Sequence, residues 1–214
     1  MTINVLIADD HTVLAEALSH GLEAKSDVRV IAHVNSGRKA ISKAAELRPH
    51  VVLMDVVMPE LNGIDATREI RDHMEEIQVV MLSASSSPDH VLRAVRAGAR
   101  GFVAKKAKFN DVVDAIHSVS HGGTYFDGSI PQPVVAMAFN ENVAMDLLDL
   151  LSVRERHVLQ LVVEGQSAVE IARCLSLSPK SVETYRSRIR QKLSLRTLPE
   201  LVKFAIRNGL TTLD

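Results

Sequence analysis

The chain has 214 residues, 46% hydrophobic and 24% charged, enough for one large domain or two small ones with real cores. A single cysteine, Cys174, excludes an intramolecular disulfide and a cysteine-rich zinc site. No apolar run reaches the roughly 18 residues of a membrane span and no signal peptide opens the chain, so a cytoplasmic protein with no membrane partner is expected.

The net charge of −1 hides a strong division along the chain. Residues 1–120 carry 14 basic and 16 acidic side chains, residues 121–150 carry none and 4, and residues 151–214 carry 11 and 6. A basic C-terminal module behind an acidic segment suggests a polyanion partner for that module alone.

The first 120 residues alternate between two periods. Short Val-, Ile- and Leu-rich runs at Val5–Ala8, Val28–Val34, Val51–Met54, Gln78–Leu82 and Gly101–Ala104 read as buried strands. Between them, apolar residues recur at helical spacing, as in Val13, Leu14, Ala17, Leu18 and Leu22. Strict alternation implies a doubly wound, five-stranded parallel sheet with helices on both faces. Gly122-Gly123, Pro131 and Pro133 mark a linker over residues 122–147, with a short helix expected around Val143–Leu150. Domain boundaries of 1–121 and 148–214 follow.

Residues 151–214 read as four short helices. Ser152-Val-Arg-Glu155 and Ser167-Ala-Val-Glu170 are capping boxes. Ser178 before Pro179 is an N-cap followed by proline at the first helical position, and Pro199 opens the last helix. The short turn 176–178 makes the middle pair a helix-turn-helix. Cys174 is assigned to the apolar side of its helix.

In a parallel sheet, sites form beyond the carboxyl ends of the strands. Asp9 and Asp10 follow the first strand, Asp55 ends the third, Ser83 the fourth and Lys105 the fifth. Three carboxylates at one edge repel one another and call for a hard divalent cation, and Mg2+ fits because it keeps waters for a phosphoryl group. A carboxylate is also a nucleophile that can become an aspartyl-phosphate. Asp55 suits that role because it alone follows the central buried strand, with Lys105 and the Ser83 hydroxyl set to hold phosphoryl oxygens. An enzyme site of the phosphatase or flavin type is disfavoured, since the first loop, Asp-Asp-His-Thr, has no glycine-rich phosphate cradle.

In the C-terminal module, Val182, Tyr185, Ile189 and Leu193 share one sector of a helical wheel. Lys180, Thr184, Ser187, Arg188 and Gln191 fall opposite, flanked by Glu183, Arg190 and Lys192. Cations for phosphates and polar side chains for base edges are what a major-groove helix needs.

Asp9-Asp10, Asp55 with Met58-Pro59 and Gly63, Ser83-Ala84, and Phe102 three residues before Lys105 resemble the receiver domain of bacterial two-component response regulators over about residues 3–120. The resemblance implies that Asp55 takes a phosphoryl group from a sensor histidine kinase. It implies that Asp9, Asp10, Asp55 and the Val57 backbone carbonyl organise Mg2+, and that Phe102 turns inward as Ser83 moves.

Leu151-Ser-Val-Arg-Glu-Arg-His-Val-Leu, Glu170-Ile-Ala172 and Ser178-Pro-Lys-Ser-Val182 resemble the LuxR-type helix-turn-helix. Together the two parts resemble a response regulator of the NarL/FixJ class, with no enzymatic turnover of its own. This implies Glu183, Thr184, Ser187 and Arg188 near the bases, and Lys180, Arg190 and Lys192 nearer phosphates. It implies a homodimer on double-stranded DNA and keeps RNA polymerase among the candidate partners. Ala168-Val169 departs from the Asn-Lys usual there, and Tyr185 stands where many relatives have His. A regulator whose receiver is never phosphorylated and a pure protein-interaction module remain as alternatives.

Overall fold

The computed structural model describes residues 2–140 and 147–211. The chain divides into two compact units, Met1–Val143 and Ala144–Asp214.

The first unit is a parallel sheet wound on both sides. Strands β1 (Ile3–Ala8), β2 (Val28–Val34), β3 (Val51–Asp55), β4 (Gln78–Ser83), β5 (Gly101–Ala104) and β6 (Tyr125–Phe126) lie in the order β2-β1-β3-β4-β5-β6. Every residue of β3 is buried, which is why that strand reads as a continuous apolar run rather than an alternating one. Helices α2 (Gly37–Leu47), α3 (Gly63–His73) and α4 (Pro88–Arg96) bury Ala40, Ala44, Ile64, Ile70, Val91 and Ala94 against one face. Helices α1 (Thr12–Glu23) and α5 (Phe109–Ser120) bury Leu18, Leu22, Val112 and Ile116 against the other. Strand order reverses between β1 and β3, so the loop after β1 and the end of β3 open onto the crevice where such folds place ligands.

Gly63 sets how closely α3 starts against β3. Its N–H donates to the Val56 carbonyl at 2.9 Å, and a Cβ there would lie 1.8 Å from the Asp55 carbonyl oxygen. Only glycine permits that approach. Asn62 caps α3 by accepting the Asp65 N–H at 2.9 Å.

The sheet has six strands, not five, and the difference lies in the segment expected to be a linker. Tyr125 and Phe126 pair with Gly101 and Phe102 of β5. Helix α6 (Gln132–Ala138) follows and packs on α4, with Phe126 and Phe139 edge to face at 6.0 Å. The glycines and prolines that suggested a linker have local structural uses. Gly122 takes a left-handed φ of +82° in the turn after α5, while Pro131 is the N-cap of α6 and Pro133 lies in its first turn. The helix expected around Val143–Leu150 falls partly outside the described residues; Leu147–Leu150 form a 3-10 turn.

The second unit contains α7 (Val153–Val163), α8 (Ala168–Leu175), α9 (Pro179–Leu193) and α10 (Leu198–Arg207). Both expected capping boxes are formed, and Ser178 caps α9 by accepting the Ser181 N–H at 3.0 Å. Val158, Leu161, Ile171, Leu175, Val182, Ile189, Leu193 and Leu201 share one core. Cys174 is exposed, contrary to expectation. The buried residues of α8 are Ile171, Ala172 and Leu175. At about 100° per residue, position 174 falls outside the sector they define.

Candidate functional site

The acidic edge is assembled by three strand ends. Asp9 is fully buried, Asp55 is 4% exposed and Asp10 is open to solvent. The Lys105 ammonium bridges the two buried carboxylates, 2.9 Å from Asp9 Oδ2 and 2.7 Å from Asp55 Oδ2. Its neighbour Lys106 points to solvent. The Val57 N–H donates to Asp55 Oδ1 at 3.4 Å, so the loop after β3 wraps the carboxylate.

Electrostatics follow from this crowding. Burial pushes the Asp55 carboxyl up to about 7; Lys105 opposes that, while Asp9 and Asp10 add to it. Burial disfavours the Lys105 charge, but Asp55 and Asp9 outweigh it and hold the ammonium above its usual value. A buried carboxylate among like charges is thereby primed to gain from any further cation.

His11 is a member of this cluster that the sequence reading did not assign. Its Nδ1 lies 2.9 Å from Asp10 Oδ1, 3.1 Å from Asp9 Oδ1 and 3.9 Å from Asp55 Oδ2. Asp9, Asp10, His11 and Asp55 bring four ligand atoms within 4.8 Å of one another. The signal was available: an imidazole directly after an Asp-Asp pair at a strand end is a metal-ligating type in a metal-ligating place.

Ser83 and Phe102 are placed differently from one another. The Ser83 hydroxyl donates to the Ser85 carbonyl at 2.7 Å and accepts the Ser85 N–H at 3.2 Å. Phe102 is fully buried, packed in the apolar cluster with Met81, Val91 and Ala94. Its ring is therefore turned inward.

On the second unit, α9 buries Val182, Ile189 and Leu193 and half-buries Tyr185. Lys180, Glu183, Thr184, Ser187, Arg188, Arg190 and Gln191 are exposed. Arg186, which the wheel left unassigned, anchors the helix. It pairs with Glu183 at 2.9 Å and donates to the Gln166 carbonyl at 3.1 Å. Lys192, expected nearer phosphates, is also exposed, and within the unit it has an internal partner. Its ammonium lies 2.7 Å from Glu155 Oε2 and 3.1 Å from the Leu150 carbonyl. Glu155 is buried in the capping box of α7, and a buried carboxylate needs a cation; Lys192 supplies one. Burial raises the Glu155 carboxyl, but Lys192 and Ser152 outweigh it and hold it below the ordinary range.

Among the described residues no helix is long and apolar enough to cross a membrane.

Comparison with known proteins places both units. Residues 5–117 match the family described as response regulator receiver domain. Residues 149–205 match the family described as bacterial regulatory proteins, luxR family. The chain is 33% identical over 210 residues to the response regulator protein VraR of Staphylococcus aureus, covering 98% of this chain and 99% of that one. Its fold is similar to that of the RcsB response regulator of Salmonella typhimurium, with a TM-score of 0.65, 24% identity and 99% of each chain covered. A LuxR-family two-component response regulator from Aurantimonas gives a TM-score of 0.61 at 26% identity, covering 65% of this chain and all of that one. The acidic strand edge with its lysine and the capped helical unit with its polar α9 face thus have one joint meaning: the chain belongs to the response regulators, and couples a receiver domain to a LuxR-type DNA-binding domain.

Proposed function

We propose that Asp55 accepts a phosphoryl group from a sensor histidine kinase, and that this modification controls homodimerisation and sequence-specific DNA binding by the C-terminal unit. The observation that carries the reading is the Lys105 ammonium, 2.7 Å from a buried Asp55 at the end of the central strand. In the transfer, an Asp55 carboxylate oxygen attacks phosphorus. The new P–O bond forms as the P–N bond to the donor imidazole breaks, and the imidazole leaves with the electron pair and takes a proton. Lys105 faces the incoming dianion from one side. Ser83, released from Ser85, supplies a hydroxyl from the other. The product is a signal and is not turned over as a substrate.

The residues present suit Mg2+. Asp9, Asp10 and Asp55 are hard oxygen donors gathered at one edge, and a cation, Lys105, already stands between two of them. The Val57 carbonyl would complete the set. When bound, Mg2+ neutralises the carboxylates that would otherwise repel an incoming phosphoryl group.

For DNA, the exposed side chains of α9 are the readers: Glu183, Thr184, Ser187 and Arg188 toward base edges, Lys180 and Arg190 toward phosphates. Lys192 acts through Glu155, holding α9 against α7. Such a factor works beside RNA polymerase in the cytoplasm.

The test is intact mass after incubation with Mg2+ and acetyl phosphate, for wild type and Asp55→Asn. One phosphoryl group on wild type alone supports the reading. No gain in folded wild type refutes it and favours a regulator controlled without phosphorylation.

A further inference from the structure

The short strand β6 continues into Asp127, whose carboxylate takes over the sheet's hydrogen bonding. Asp127 is 3% exposed. Its Oδ2 accepts the Ala104 N–H at 2.5 Å, and its Oδ1 accepts the Ser129 N–H at 2.7 Å. Its own N–H donates to the Phe102 carbonyl at 3.2 Å. A backbone carbonyl would occupy the place of that Oδ2 if the strand ran on. Without either, a buried N–H at the last residue of β5 would have no partner.

The next residue in the chain is Lys105. Its own N–H donates to the Ser83 carbonyl at 2.7 Å. The end of β5 is therefore clamped from both sides, through Ala104 by Asp127 and through Lys105 by β4. Lys105, whose ammonium reaches Asp55 at 2.7 Å, carries the second of these amides, and Phe102, two residues before the first, is held through its carbonyl by the Asp127 N–H. The same segment touches the β4–α4 loop, where Ser129 Oγ lies 3.2 Å from Ser86 Oγ, and is tied to α5 by the Tyr125 hydroxyl, which donates to Asp111 at 2.9 Å. Residues 125–140 thus cover the outer side of β5, the strand whose end leads into Lys105.

We propose that Asp127 is a positioning residue for phosphoryl acceptance: its carboxylate holds the end of β5, and so the reach of Lys105 to Asp55, and couples the docking of residues 125–140 to occupancy of Asp55. The inference rests on Asp55 being the acceptor. Coupling of this kind is reciprocal, so a docked segment favours the phosphoryl-bound arrangement and a phosphoryl group favours the docked segment.

Two measurements on the full chain test it. The first is the rate of mass gain with Mg2+ and phosphoramidate. Asp127→Ala withdraws a buried, charge-assisted hydrogen bond and is expected to slow phosphorylation by about tenfold. Asp127→Asn keeps an acceptor oxygen and is expected to recover most of that rate. The second is hydrogen exchange across residues 125–140 in wild type, with and without Mg2+ and beryllofluoride. Added protection of this segment supports the coupling, and it needs no variant to fold. Asp127→Ala phosphorylating at the wild-type rate, or exchange at 125–140 unmoved while the Asp55 loop becomes protected, overturns the inference and leaves Asp55 as acceptor intact. Failure of wild type to gain mass overturns both.

Discussion

Replacing Gly63 by alanine is the sharpest test of how the fold positions the acceptor. The added Cβ would lie 1.8 Å from the Asp55 carbonyl oxygen and 2.9 Å from Met54 Cγ, whereas ordinary van der Waals contact begins at 3.4 Å. The start of α3 must therefore retreat from β3 by about 1.6 Å, the difference between the two oxygen distances. That retreat breaks the bond from the Gly63 N–H to the Val56 carbonyl and drags the loop bearing Val57. Overpacking of this kind costs about 1–3 kcal/mol and the lost hydrogen bond about 1 more. A domain stable by about 5–15 kcal/mol survives it. The site does not survive unchanged, because a misplacement of about 1 Å can cost about 100-fold in rate. Gly63→Ala is expected to remain folded with a lowered melting temperature and to take up phosphoryl from acetyl phosphate about 100-fold more slowly. Uptake within about threefold of wild type, with an unchanged melting temperature, would refute the reasoning.

Four further outcomes are expected. The Asp55 carboxyl is raised from 3.8 to about 7, so its contribution to stability is complete below 3.8 and lost as pH rises through about 7. The melting temperature of Mg2+-free wild type should then fall between about pH 4 and pH 7 more steeply than that of Asp55→Asn, with Mg2+ recovering the loss; parallel curves would contradict this. Lys192→Met should destabilise the helical unit by about 1–3 kcal/mol in urea, by leaving the Glu155 carboxylate without its cation. Lys180→Gln should leave stability alone and lower the slope of DNA affinity against salt by about 0.9; the reverse pattern would reassign the two lysines. Val57 has an apolar side chain that cannot orient a water, so Val57→Asn should hasten loss of the phosphoryl group, and an unchanged decay rate would discount the side chain.

Much of this architecture was legible locally. Val51–Met54 reads as a buried strand because each residue is apolar, and the structure extends it only by Asp55. The starts of α7 and α8 were readable because a capping box joins residues three apart. Asp9, Asp10, Asp55, Ser83 and Lys105 could be named together because they end or follow four of the strands, and a parallel sheet gathers strand ends on one edge.

What stayed hidden depends on partners far apart in sequence. Glycine and proline at 122–133 look alike in a free linker and in a turn followed by a helix start. Only an open edge on β5, with Ala104 N–H free to meet Asp127, decides that the segment pairs. Lys192 looks like any exposed helix cation until Glu155, 37 residues earlier, is buried beneath it. Cys174 looks apolar, but the packing of Ile171, Ala172 and Leu175 sets which side of α8 faces the core. The amino-acid sequence alone determined the elements, their caps and the chemistry available at the strand ends, since each rests on neighbours within a turn or a strand. The tertiary structure decided which charges pair, which edge is closed and which side chain holds another in place, because those contacts exist only once the chain has returned on itself.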